Sequence, residues 1–250
     1  MSYKFNGGNG AILCDGCHTI IQSNISLSDY RKQHTGYDFC DKCLSNVKVV
    51  DNFDWALNFM EFKNQDEFYF IQIIQRKKDG NITQIGNNGY RTIKTYYIYS
   101  KEQLAMKANK IRELCLRNNA RAYIHPNKRN AKEIALECIA WYAHLVKTNN
   151  SFQGYRVYDS MCGKHSAKDY KKLWIIDVDT KDMEIVQRYI KAADESRSDF
   201  EKNVLDVVPT LNGYHLISHG FNPLDFSKNI QELPKPDIQR DNPTLLYYAQ

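Results

Sequence analysis

Two carboxylates close a run of four apolar residues in Leu173-Trp-Ile-Ile-Asp177-Val-Asp179. Alternate side chains of a strand share a face, so Asp177 and Asp179 project together while Val178 turns toward the core. Acids spaced about 7 Å apart along a strand can ligate one or two hard cations. Such cations can orient a triphosphate and neutralise the charge that develops on a displaced pyrophosphate. The same acids can instead end the strand and cap the following helix, where Thr180 and Asp182 also stand. A phosphatase-like use of Asp177 as nucleophile is a third reading.

Further polar residues follow in order. In Pro209-Thr-Leu-Asn-Gly213-Tyr-His215-Leu-Ile a turn leads into a strand. Gly213 allows close backbone approach by a ligand, and His215 beside it can donate to a phosphate oxygen; a half-buried histidine of an amphipathic strand is the plainer alternative. In Pro236-Asp237-Ile-Gln-Arg240-Asp241-Asn-Pro243, Asp237 can complete a three-carboxylate metal site, and Arg240 joins Gly213 and His215 as a nucleotide-binding candidate. Asp241 reads as turn chemistry before Pro243.

A second kind of chemistry lies near the start. Cys14-x-x-Cys17 and Cys40-x-x-Cys43 are separated by 22 residues. Each Cys-x-x-Cys brings two thiolates to one ion, and two such pairs complete a tetrahedral zinc shell. Zinc binding can also hold together a segment with almost no core of its own. Arg31, Lys32 and His34 within this module suit nucleic-acid contact. A purely structural clamp is the alternative.

These residues need elements to position them. Residues 1–50 are expected to form the zinc-binding module with a loose, glycine-containing leader, and residues 51–250 an α+β catalytic domain. Glu67–Gln75 and Tyr90–Tyr99 read as the strands of a long hairpin across Gly-, Asn- and Asp-rich turn residues. Ser100, with Gln103 three residues on, opens a helix that Asn118-Asn119 ends. Arg121–His125 is a short strand stopped by Pro126. Asn130 opens a second helix with Ile134, Cys138, Trp141 and Leu145 on one face, Trp141-Tyr142 reading as core. Asn149–Ser166 reads as a mobile loop. The apolar run 173–176 suits a strand buried on both faces; Thr180 can cap the next helix, strands follow at 204–210 and 214–218, and a final strand or hairpin covers 237–248.

Charge adds a mild bias. Net charge is +5, with 17 tyrosines and 11 phenylalanines, which is compatible with nucleic-acid contact. Arg76-Lys77-Lys78 at the hairpin tip suits template contact, and Lys128-Arg129 before a helix suits a phosphate or an ordinary solvated basic loop. No apolar run reaches 18 residues, and no signal-peptide pattern opens the chain, so a cytoplasmic protein without a membrane partner is expected.

Taken in order, Ile176-Asp177-Val-Asp179, Gly213-Tyr-His215 and Pro236-Asp237 resemble the motifs of the archaeo-eukaryotic primase superfamily, in which proline at 236 stands where an apolar residue is usual. The resemblance covers about residues 170–250. It implies an RRM-like catalytic core, Mg²⁺ or Mn²⁺ on Asp177, Asp179 and Asp237, and a histidine, His215, that contacts the incoming nucleotide. It also implies nucleoside triphosphates and a single-stranded DNA or RNA template as partners. With no Gly-x-x-x-x-Gly-Lys-Ser/Thr stretch in the chain, a helicase would be a separate protein. A non-catalytic, zinc-dependent nucleic-acid-binding regulator is the alternative; either would suit a phage or mobile element.

Overall fold

The computed structural model describes residues 2–6, 9–13, 20–25, 48–77, 89–168 and 171–249. The chain is α+β, built on antiparallel sheets. Strands β1 (Ser2–Asn6), β2 (Asn9–Leu13) and β3 (Ile20–Ile25) form a three-stranded sheet. The expected loose leader is thus partly paired strand; Gly7-Gly8 between β1 and β2 is a hairpin signal in the sequence. The four candidate zinc ligands Cys14, Cys17, Cys40 and Cys43, with Arg31, Lys32 and His34, lie outside the described residues.

The next strands are β4 (Val49–Asp51), β5 (Glu67–Arg76), β6 (Tyr90–Ile98), β7 (Arg121–Ile124), β8 (Arg129–Asn130) and, from the C-terminal end of the chain, β13 (Thr244–Ala249). They form one sheet in the order β4-β13-β7-β5-β6, with β8 also paired to β5. The hairpin legible in the sequence is the β5–β6 pair. Alternation along β5 separates two cores. Tyr69, Ile71 and Ile73 pack under helices α1 (Phe53–Phe59) and α2 (Lys101–Arg117). Phe68 and Phe70 pack under α3 (Ala131–Lys147) and α4 (Val157–Lys164).

Local chemistry explains the helix starts. Ser100 Oγ accepts from Gln103 N at 3.2 Å, and Gln103 Oε1 accepts from Tyr99 N at 2.7 Å. Asn130 Oδ1 accepts from Lys132 N and Glu133 N to open α3. Ile134, Cys138 and Leu145 are buried as expected, but Trp141 and Tyr142 are substantially exposed. They flank the buried stripe of α3, and Trp141 stacks on His144 rather than entering the core. The expected loop at 149–166 is instead a 3₁₀ turn (Ser151–Arg156) followed by α4, because Val157, Met161 and Cys162 supply an apolar face.

The second sheet joins β9 (Trp174–Val178), β10 (Val204–Pro209), β11 (Tyr214–Ser218) and β12 (Asp237–Arg240) in the order β10-β11-β9-β12. With helices α5 (Met183–Asp194) and α6 (Pro223–Asn229), the chain order is β-α-β-β-α-β. Asp182, rather than Thr180, caps α5 by accepting from Glu184 N at 2.9 Å. Ile176, Val178 and Leu216 pack beneath α5 and α6 on one face. On the other, Ile175, Val208 and Ile217 meet Trp55 and Phe59 of α1. Strand β9 is therefore buried on both faces, as its apolar run predicts.

Strands β12 and β13 are not a hairpin: they belong to different sheets. Asp241, in the left-handed region at φ 64°, and Asn242-Pro243 carry the chain between them. Among the described residues no helix is long and apolar enough to cross a membrane.

Candidate active site

The antiparallel register assembles the site. His215 of β11 and Asp237 of β12 both stand directly opposite Asp177 of β9. Directly opposed residues share a sheet face, so three side chains from three separate segments form one cross-strand row. His215 Nε2 lies 3.4 Å from Asp177 Oδ1. Its Nδ1 is 2.9 Å from the hydroxyl of buried Thr244. With Nε2 beside a carboxylate, the Thr244 hydroxyl donates to Nδ1 and the imidazole presents Nε2–H toward Asp177.

Asp177 and His215 of this row line a cleft of about 920 Å³ between the two sheets, whereas Asp237 is not among its lining residues. Asp177, Asp179 and His215 line one wall. The opposite wall carries Arg76, Arg121 and Lys164. Arg121 and Tyr123 reach it because β7 alternates, with Ala122 and Ile124 turned into the core. Arg76 Nη1 donates to Tyr123 Oη at 3.1 Å, and the Arg121 guanidinium lies 4.5 Å from the Tyr248 ring centre. Asp177 and Asp179 thus face three cations across the cleft, with Asp159 on the same helix as Lys164.

The other candidates are placed as follows. Asp179 is exposed at the cleft mouth. Asp237 shares the face of Asp177 but is exposed, and its Oδ2 accepts from Gln239 Nε2 at 2.8 Å. Among the described residues no three His, Cys, Asp or Glu side chains gather as a metal shell, so the expected three-carboxylate cluster is not closed. Two carboxylates do fit Mg²⁺ or Mn²⁺ of the kind whose remaining ligands are waters and substrate phosphates.

Arg240 is a correction. It pairs with Trp174 in register and its guanidinium sits 4.5 Å from that ring centre, on the helix-covered face away from Asp177. Three residues along a strand reverse the face, so Gln239, not Arg240, lines the cleft from β12. Gly213 is buried, and its close approach is to the protein's own chain. A Cβ there would collide with the Val178 carbonyl oxygen and lie 2.7 Å from Thr180 N. The glycine thereby seats the segment that carries Asp179.

Lys128 and Arg129 also differ from expectation: both are fully buried. Lys128 Nζ pairs with Glu67 Oε2 at 2.6 Å. Arg129 donates to the Cys162 and Asn127 carbonyls at 2.6 Å each, to Asp241 Oδ1 at 3.0 Å and to His125 Nδ1 at 2.9 Å. Burial, and then the Arg129 charge, push the His125 imidazole down to about 3 against a hydrogen bond with the Asp241 backbone, so it is neutral. This network holds the β12–β13 turn. Asp159, a fourth cleft acid, is engaged by the hydroxyls of Tyr97 and Thr95. Lys164, Gln239 and Thr244 were not foreseen; strand parity would have found Gln239, while no sequence signal singles out Lys164 or Thr244.

No family model, no curated protein and no solved structure matches the chain.

Proposed function

We propose that this chain is a metal-dependent nucleotidyltransferase of primase or primase-polymerase type, joining nucleotides on a single-stranded template. The observation that carries the proposal is the cross-strand row His215–Asp177–Asp237, in which the three sequence motifs meet on one sheet face. The β-α-β-β-α-β order, with β12 beside β9, supports the RRM-like core that the resemblance to the archaeo-eukaryotic primase superfamily implies.

Asp177 and Asp179 would hold Mg²⁺ or Mn²⁺, which supplies charge neutralisation for the triphosphate and the departing pyrophosphate. The imidazole of His215, oriented by Thr244, donates Nε2–H to a phosphate oxygen. Arg76, Arg121 and Lys164 offset phosphate charge from across the cleft. Their fixed placement lowers the reorganisation needed as charge develops. The four cysteines would hold zinc in a separate template-contacting module, proposed from their spacing alone.

The test is extension of single-stranded DNA by the purified chain with Mn²⁺ and nucleoside triphosphates, alongside calorimetry of nucleotide binding. Product formation by the wild type, lost in Asp177→Asn together with metal-dependent nucleotide binding, is the expected result. Absence of product, with nucleotide binding unchanged in Asp177→Asn, overturns it. Template binding that survives Asp177→Ala and Asp179→Ala without added divalent cation or turnover would instead favour a zinc-dependent regulator.

A further inference from the structure

The 3₁₀ turn Ser151–Arg156 presents two of the most exposed rings of the described chain, Phe152 at 72% and Tyr155 at 77% exposure. Residues i and i+3 of a 3₁₀ helix eclipse one another, and its rise of about 2 Å per residue sets them roughly 6 Å apart along the axis. The two rings therefore leave the turn on one side. The turn itself is anchored. Tyr142 Oη donates to the Gly154 carbonyl at 2.9 Å, and a Cβ at Gly154 would stand 3.0 Å from the Tyr142 ring. Val157, next in the chain, is buried. The projecting rings thus stand on a fixed base.

Positive charge accompanies them. The Arg156 guanidinium lies 5.0 Å from the Tyr155 ring centre, and Lys164 Nζ lies 4.9 Å from that of Trp141. Between Thr148 and Lys168 the only acid is Asp159, whose carboxylate is bonded to Tyr97 and Thr95. Lys164 also lines the cleft, and the adjacent Trp141 and Tyr142 of α3 lie between it and the turn, Trp141 against Lys164 and Tyr142 against Gly154. Exposed rings interleaved with cations and leading from an acid-lined cleft match one ligand chemistry: a polyanion with flat, unpaired bases. Protein interfaces also use Tyr, Trp and Arg; what favours nucleic acid here is that Lys164, which lies against Trp141, also lines the cleft.

We propose that the Phe152–Tyr155 turn is a stacking platform for single-stranded nucleic acid, over which the strand passes Trp141 and Lys164 into the cleft. This rests on the nucleotidyltransferase reading for what happens in the cleft, but binding at the platform can be measured without turnover.

The experiment titrates the full chain against fluorescein-labelled dT20, without nucleotides, by anisotropy. Stacking on each ring predicts that Phe152→Ala/Tyr155→Ala weakens binding on the order of tenfold to a hundredfold. Tyr155→Phe keeps the ring and stays within about twofold of wild type. Both rings are exposed, so the double variant should keep its thermal melt, which circular dichroism checks. Bromodeoxyuridine in the oligonucleotide should photo-crosslink within residues 151–156.

Unchanged dT20 affinity in the double variant, or crosslinks confined to other segments, overturns the platform. So does a wild-type dimer that the double variant abolishes with oligonucleotide affinity intact, since the occupant is then a second copy. If the platform fails while Asp177→Asn still abolishes extension, the cleft reading stands alone. If platform-dependent binding occurs with no extension under any condition, the platform stands and the enzymatic reading falls.

Discussion

Two groups of ionisable side chains are held in opposite ways. Glu67, Lys128, Arg129 and His125 are buried, each with a named partner, and Asp241 is nearly so. Asp177, Asp179 and His215 stand at the cleft surface, where His215 Nε2 approaches Asp177 Oδ1 to 3.4 Å. Buried groups bonded to named partners specify geometry. Charges left facing a cavity can still exchange water for a ligand. The comparison teaches that the basic pair Lys128-Arg129 belongs to the frame, whereas the acidic pair Asp177-Asp179 is placed where the proposed chemistry would use it.

The sharpest way to break that contrast is to cut each group once. Arg129→Met strands Asp241 and the turn between the sheets, and should cost about 3–5 kcal/mol of stability in denaturant unfolding. Asp177→Asn should leave unfolding almost unchanged while lowering nucleotide incorporation about 10²–10³-fold, measured in single-turnover extension assays. If the two variants exchanged phenotypes, the division between frame and chemistry would be wrong. Gly213→Ala lies between the groups. Its Cβ must displace the Val178–Thr180 backbone, with an expected loss of about 1–3 kcal/mol and reduced incorporation as Asp179 shifts.

Protonation refines the contrast further. His125 has a folded value of about 3 against an ordinary 6.5. The unfolded chain therefore takes up a proton that the native ring refuses. The His125 contribution is fully present above pH 6.5 and is lost as pH falls toward 3, at up to about 1.4 kcal/mol per pH unit. Unfolding titrations of His125→Gln should show a shallower acid slope. Glu67 acts lower on the scale. Burial raises its carboxyl, but the Lys128 hydrogen bond, the Lys63 N–H and both lysine charges bring it below 4.5, so its share disappears only below that pH. The smallest effect belongs to Arg240→Ala, which should remove about 0.5–1 kcal/mol of stacking on Trp174 and leave incorporation intact.

Much of the frame was legible because local chemistry agreed with tertiary packing. The β5–β6 hairpin, the Ser100 and Asn130 caps and the apolar run of β9 each follow from short-range rules. The site was legible as far as parity reaches: alternation puts Asp177 and Asp179 on one side, and the same rule applied from Asp237 would have turned Arg240 away. Which sheet receives β13 was not legible, since that choice depends on partners far along the chain. Nor was the burial of Lys128 and Arg129, whose partners Glu67 and Asp241 lie 61 and 112 residues away. A basic pair before a helix looks the same in sequence whether it meets water or carboxylates.

Asn52 joins the two halves in a way that bears on motion. Its buried amide donates to Pro209 O at 2.9 Å in one sheet and to Leu245 O at 2.8 Å in the other. Separating the halves at this stitch would orphan both carbonyls and the amide away from solvent. Asn127 makes a second stitch, its amide exchanging two buried hydrogen bonds with the Leu173 backbone at 2.9 and 2.7 Å, so opening the cleft would break both stitches and its width is set by the frame.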